Sequence, residues 1–253
     1  MSKKSLFGWL LLIVALLAGG WFFATRGGIL APKAPFAIEK KEIHAEDSDK
    51  RFAINIEYPV ISGLATPALD EKINREIQGD INQLALSFRQ DAEAPRPPAL
   101  VGLESELETS YQVRYKDEHL LSIEFMHSAY SAGAAHPFSF TTTLLYDLGT
   151  AEVIPLKAIF RPTSAYLGVL SQFTKGDLLR QLGEEFRETI LMGTAPKEEH
   201  FKSYLISAEG LTILFDPYQV APYAAGAQKV TIPWNTLKPQ LAENTLFTRF
   251  LTR

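Results

Sequence analysis

Cysteine is absent from the 253 residues. That excludes disulfides, thiolate metal sites, iron–sulfur clusters, a cysteine nucleophile and a lipid anchor on cysteine. Recognisable catalytic and nucleotide-binding signatures are missing as well. The chain holds no G-x-S-x-G, no G-x-G-x-x-G, no phosphate-binding P-loop and no H-E-x-x-H. Strong charge of one sign is lacking too, with 25 Lys and Arg against 29 Asp and Glu. Hydrophobic residues make up 46% and charged residues 21%, a mixture that excludes wholesale disorder.

What is present begins at the amino terminus. Lys3 and Lys4 are followed by no charge until Arg26, so Ser5 to Thr25 forms one uncharged, mostly apolar run. About 20 such residues cross a bilayer core as a helix. Trp9 and Trp21 lie towards its two ends, where amphipathic rings favour the interface. A retained signal anchor over 5–25 is therefore expected, with residues 1–4 a cytosolic stub and 26–37 a linker. A cleaved signal peptide is the alternative, although neither Ala18-Gly19-Gly20 nor Ala24-Thr25 gives a clean small-x-small site. The placement of Lys3 and Lys4 puts the amino terminus in the cytoplasm and the rest outside the inner membrane.

Residues 1–26 hold three basic and no acidic residues. Subtracting 3 from 25 leaves 22 basic against 29 acidic residues, a net charge of −7 beyond residue 26. A domain of that sign is not expected to bind nucleic acid. It would steer a cationic partner, or its charge would serve solubility alone.

Phe52, Ile54, Ile56 and Tyr58 alternate with polar residues and predict a half-buried strand that Pro59 ends; Phe36 to His44 reads as a further strand. Thr66-Pro67 opens a helix, Thr as N-cap and Pro at the first position. Leu69, Ile73, Ile77, Ile81, Leu84 and Phe88 form its apolar face, and Pro95, Pro97 and Pro98 stop it. Alternation over 109–115 and 121–125 predicts a hairpin. Strands follow at 138–146, 211–215 and 230–232, with helical pieces over 163–192 broken at Gly176 and Gly183. Strand groups with inserted helices and no βαβ alternation give an α+β fold built on an antiparallel sheet. Two halves are expected, 38–138 and 139–253.

Two clusters carry the candidate site. Tyr130-Ser131-Ala132-Gly133-Ala134-Ala135-His136-Pro137 is a loop of small residues with one glycine. Phe215 to Gly226 packs Pro217, Tyr218, Pro222 and Tyr223 into a stiff aromatic loop. Rigid tyrosines give contact area at low entropic cost, so Tyr130, Gly133, His136, Tyr218, Tyr223 and Gly226 are the expected ligand-binding residues. The competing reading is a packed connection whose rings cover the edge of the core. His127 and His136 flank one loop and would form a metal pair only if their strands brought them together. A carboxylate–imidazole pair assembled by the fold, such as Asp216 near His136, is the support a hydrolytic reading would need. No catalytic residue, metal or cofactor is assigned.

The order Y-P-V-I-S-G-L at 58–64, Ile73-Asn74, the loop 130–137, Tyr146-Asp147-Leu148-Gly149-Thr150, F-D-P-Y-Q-V-A-P-Y-A-A-G and Val230-Thr231-Ile232-Pro233-Trp234 resembles a known pair of bacterial domains. They occur in the ectodomain of RsiV-type lysozyme-sensing anti-sigma factors and in front of PdaC-type peptidoglycan deacetylase domains. The resemblance implies a membrane-tethered extracytoplasmic module that binds lysozyme or peptidoglycan. Four cytosolic residues would not hold a sigma factor, so none is expected as partner. The deacetylases of this type carry a separate domain with H-S/T-x-x-H. Here His127-Ser128-Ala129-Tyr130 is followed by Ser131, so that activity is not expected. A structural docking role in the envelope is the alternative function, and a cell-wall hydrolase or deacetylase the less favoured one.

Overall fold

Alternating burial makes the first sheet two-faced. The structure is a computed structural model that describes residues 36–47, 51–243 and 245–252. β1 (Ala37–Glu46), β2 (Phe52–Ser62), β3 (Ser105–Lys116), β4 (Leu120–Tyr130), β5 (Phe138–Asp147) and β6 (Glu152–Val153) form one sheet in chain order. On one face, Ile54, Ile56, Leu107, Ile123, Phe125 and Tyr146 are buried beneath helix α1 (Pro67–Glu93). Ile73, Ile77 and Ile81, recurring every four residues, bury together with Ala92 near the end of α1. Pro67 stands at the first helical position as its sequence predicts. Thr66 precedes it without a capping bond from its hydroxyl. Asp70 turns back instead, accepting from the N–H groups of Gly63 and Leu64 at 2.9 and 3.0 Å.

Two local expectations are corrected. Pro59 does not end its strand; it lies inside β2, opposite Lys40 of β1. β3 pairs with β2 only over Phe52–Ile56, so the missing N–H of Pro59 leaves no ladder acceptor orphaned. Ile61, two residues on and facing the same way, is completed by a side chain. Its N–H donates to Asn74 Oδ1 and its carbonyl accepts from Asn74 Nδ2, both at 2.7 Å. The second correction concerns topology: β2 and β3 are parallel, because α1 carries the chain back across the sheet. All other pairs are antiparallel.

The opposite face of the sheet meets the second part of the chain. β7 (Tyr204–Ile206), β8 (Gly210–Phe215) and β9 (Gln228–Pro233) form a three-stranded antiparallel sheet. With α2 (Tyr166–Leu182) and α3 (Arg187–Gly193) they enclose a second core around Phe201, Phe215, Ile213 and Trp234. Gly183 closes α2 at φ +99°, whereas Gly176 lies within it unbroken. β5, which the sequence placed at the head of the second half, hydrogen-bonds to β4 in the first sheet. Leu120 and Leu145 face the second core, while their neighbours Leu121 and Tyr146 face the first.

Polar contacts seat the two parts. Ser203 Oγ donates to the Thr141 carbonyl at 3.2 Å, and the Tyr204 N–H donates to Thr143 Oγ1 at 3.0 Å. Glu124 on β4, 1% exposed, accepts from Lys229 on β9 at 2.8 Å and from Arg114 on β3. The carboxylate is buried but both cations remain half in solvent, which limits the penalty of breaking the group. Glu124→Gln is expected to lower stability by about 2 kcal/mol, the scale of a lost charge-assisted bond. Urea unfolding measures it, and a midpoint shift equal to that of an exposed Glu→Gln control would refute it.

Residues 1–35 lie outside the description, so the expected stub, anchor and most of the linker do too. The last two residues read as linker are buried Phe36 and the first residue of β1. Among the described residues no helix is long and apolar enough to cross a membrane.

Candidate functional site

The sheet face that turns away from α1 is only partly covered by the second core. Where the cover stops, a cleft of about 960 Å³ remains. Its floor is the outward face of β1 to β5, including His44, Asn55, Glu108, Ser110, Ser128 and Ser139. Its wall is the second aromatic loop, with Pro217, Tyr223 and the run Ala224 to Ala227. Hydroxyl, amide and carboxylate groups below and a tyrosine at the side make a polar trough with one aromatic edge.

The two candidate loops meet at that edge. The His136 ring stacks on Tyr223 with centroids 4.1 Å apart. Tyr223 donates its hydroxyl to the Pro137 carbonyl at 3.2 Å. Tyr218 reaches His136 Nε2 with its hydroxyl at 3.4 Å and lies 5.6 Å from the Tyr223 ring. Phe138, 59% exposed, stacks on Phe140 at 5.6 Å, and Phe140 stacks in turn on His127, which places both rings on the α1 side of β5 and not on the tyrosine wall.

Of the six predicted residues, Tyr223 and Gly226 line the cleft. His136 and Tyr218 join them through Tyr223 at the rim. Tyr130 ends β4 opposite Glu106, half-buried, and is not part of the lining. Gly133 has φ +85° and abuts Leu100, also outside the lining. The floor residues escaped the sequence reading. They are the polar partners in the same alternation that revealed the core, and alternation alone reads them as a solvent face.

The tyrosine loop is held from behind. Asp216 Oδ1 accepts the Thr141 N–H of β5 at 2.9 Å. Burial pushes the Asp216 carboxyl up, and that bond opposes the rise. Gln219 Nε2 donates to the carbonyls of Gly193 and His200 at 3.2 and 3.0 Å. Asp216 to Gln219 form a β-turn closed by Gln219 N–H to Asp216 carbonyl at 3.1 Å. Pro217 takes its second position and Tyr218 its third, with φ +71°. That is a type II turn, whose third position ordinarily selects glycine. A side chain there costs about 1 kcal/mol.

The hydrolytic alternative meets a different geometry. Asp216 is committed to β5, while His136 directs Nδ1 to the Pro137 carbonyl and Nε2 to Tyr218. The proposed metal pair is likewise separated in role. His127 is buried on the α1 side, its Nδ1 bonded to Thr109 Oγ1 at 3.0 Å and its Nε2 to Thr142 Oγ1 at 2.9 Å. Burial pulls its pKa down to about 4, so the imidazole is neutral near pH 7. Among the described residues no cluster of three His, Asp or Glu is placed to hold a metal ion.

The comparisons with known proteins agree with this two-part build. Residues 157–235 match the family described as a protein of unknown function (DUF3298). Residues 45–139 match the family described as deacetylase PdaC. Both domains are therefore present, as the residue pattern implied. The chain is similar to the peptidoglycan-N-acetylmuramic acid deacetylase PdaC of Bacillus subtilis, 26% identical over 198 residues. It is also similar to the anti-sigma-V factor RsiV of the same organism, 24% identical over 198 residues. These alignments cover 77% and 76% of this chain but 40% and 66% of those proteins. A crystal structure of a DUF3298 family member from Bacteroides fragilis shares the fold, with TM-score 0.62 and 17% identity over 86% of this chain and 97% of that one. One relative is thus named for an enzyme and the other for a regulator.

Proposed function

We propose that this protein is an extracytoplasmic binding module, tethered to the inner membrane by residues 5–25, that captures a cell-envelope ligand in the cleft. The ligand is lysozyme or peptidoglycan, following the two relatives and the resemblance behind them. One observation carries the reading: two loops converge as His136 stacks on Tyr223, 87 positions later in sequence (223 − 136), at the mouth of a 960 Å³ cleft. Buried packing would account for aromatic rings on the core edge, but Tyr218 stays 57% exposed. Binding and not catalysis is the role, since Asp216 and His136 are each engaged elsewhere.

Immobilised lysozyme and purified peptidoglycan, each at low and moderate salt, test the proposal. Saturable retention on one of them at moderate salt is expected, where exposed charges more than about 10 Å apart are screened. Tyr223→Ala is expected to weaken it about tenfold or more, the scale of an interface hot spot. Retention that vanishes with salt would reduce the effect to attraction by net charge. Exposed Phe138 favours one other reading, docking on an envelope protein; it gains if neither ligand is held.

A further inference from the structure

We infer that the cleft takes a glycan chain of neutral or amino sugars, with sugar faces on the tyrosine wall and sugar hydroxyls on the floor. The inference rests on the cleft being the binding site, and it names the ligand class.

The floor matches sugar hydroxyls. The hydroxyls of Ser110, Ser128 and Ser139 and the carboxylate of Glu108 make no hydrogen bond among the described residues, yet all four residues line the cleft. A serine hydroxyl both donates and accepts, as a sugar hydroxyl does, and a carboxylate accepts two or more bonds. Among the described residues no lysine or arginine lines the cleft. That disfavours polyanions, whose affinity depends on paired cations.

The charge on the floor is also too small to define a polycation site. Glu42 and Glu57 share the single Lys40 ammonium at 2.6 and 2.7 Å, so with Glu108 the three glutamates of the lining keep a net charge of −2 (−3 + 1). Hydroxyls outnumber net charge, the balance a carbohydrate needs. The wall supplies the rest. The faces of pyranose rings that carry only C–H groups pack on aromatic rings, and Tyr223 lines the cleft with Tyr218 beside it. Tyr218 occupies a turn position suited to glycine while more than half exposed, so packing does not repay its strain. A ligand does.

The test is titration of the protein with N-acetylglucosamine oligomers of two to six units, with heparin and lysozyme as separate arms. Saturable oligomer binding that tightens with length and survives 0.15 M salt is expected. Tyr218→Gly should keep or raise the melting temperature, because glycine suits the turn, yet weaken oligomer binding at least tenfold. Glu108→Gln should weaken it several-fold without changing the fold. Heparin binding tighter than the oligomers would overturn the inference. So would Tyr218→Gly binding the oligomers as the parent does. If lysozyme is held in a Tyr223-dependent way and oligomers are not, the cleft stands as the site and the glycan assignment falls. If oligomers bind but neither tyrosine variant weakens them, the cleft itself is wrong.

Discussion

Replacing Gly193 by alanine is expected to cost about 3 kcal/mol and to abolish ligand capture together. Gly193 ends α3 where the tyrosine loop crosses it. A Cβ there would stand 2.0 Å from the Gln219 carbonyl oxygen and 2.8 Å from Val220 Cγ1. The first of these is backbone and has no rotamer to escape by, so the effect belongs at the upper end of overpacking costs. The loop must move, and Gln219 loses its bonds to the Gly193 and His200 carbonyls. Tyr218 and Tyr223 move with it. Gly79 supplies the control. It lies within α1 with nothing within 4 Å of its added Cβ. Gly79→Ala should therefore raise stability by about 0.5–1 kcal/mol through helix propensity and a restricted unfolded chain. Urea unfolding of the two variants settles the contrast; equal and small effects would show that the loop does not rest on α3.

The second large effect is a pH dependence written into one residue. His127 has its pKa depressed from 6.5 to about 4 in the fold. Between those values the unfolded chain binds the proton that the folded chain refuses. Stability from this group is therefore fully present above pH 6.5 and is lost as pH falls towards 4. A depression of that size corresponds to about 3 kcal/mol at the acid end. Carboxylates titrate in the same window, so the comparison is with His127→Gln. That variant should be weaker at pH 7.5, having broken the bonds to Thr109 and Thr142, but should lose less on acidification. Unfolding free energies measured from pH 7.5 to 4 give the two slopes. Parallel curves would mean that the fold does not lower the His127 pKa.

Much of the first sheet is legible before any coordinates. The apolar phase of β2, the 109–125 hairpin and the face of α1 all follow from periodicity, because burial on one side of a regular element leaves a repeat in the sequence. Pro59 shows where that logic stops. Proline forbids a ladder bond only if a neighbour strand is waiting for it, and the length of β3 is not written near residue 59. The parallel β2–β3 pair is hidden for a similar reason: nothing local distinguishes the partner's direction. The tyrosine loop is visible as composition, and its partner loop likewise. The floor of the cleft is not, since Ser110, Ser128 and Ser139 look like ordinary solvent-facing residues until the second core covers their neighbours.

β4 and β5 are walls held in common by both cores. Leu120 and Leu145 point into one, Leu121 and Tyr146 into the other. A wall that loses either filling loses half of what keeps it flat, so neither core can melt while the other waits. The two family segments, separable by eye in the sequence, are thereby bound into a single cooperative transition. Amides of β4 should exchange with solvent only on global unfolding, at the slowest rate in the chain. A ligand held at the cleft then protects the distant α1 as firmly as the loop it touches, because the molecule opens everywhere or not at all.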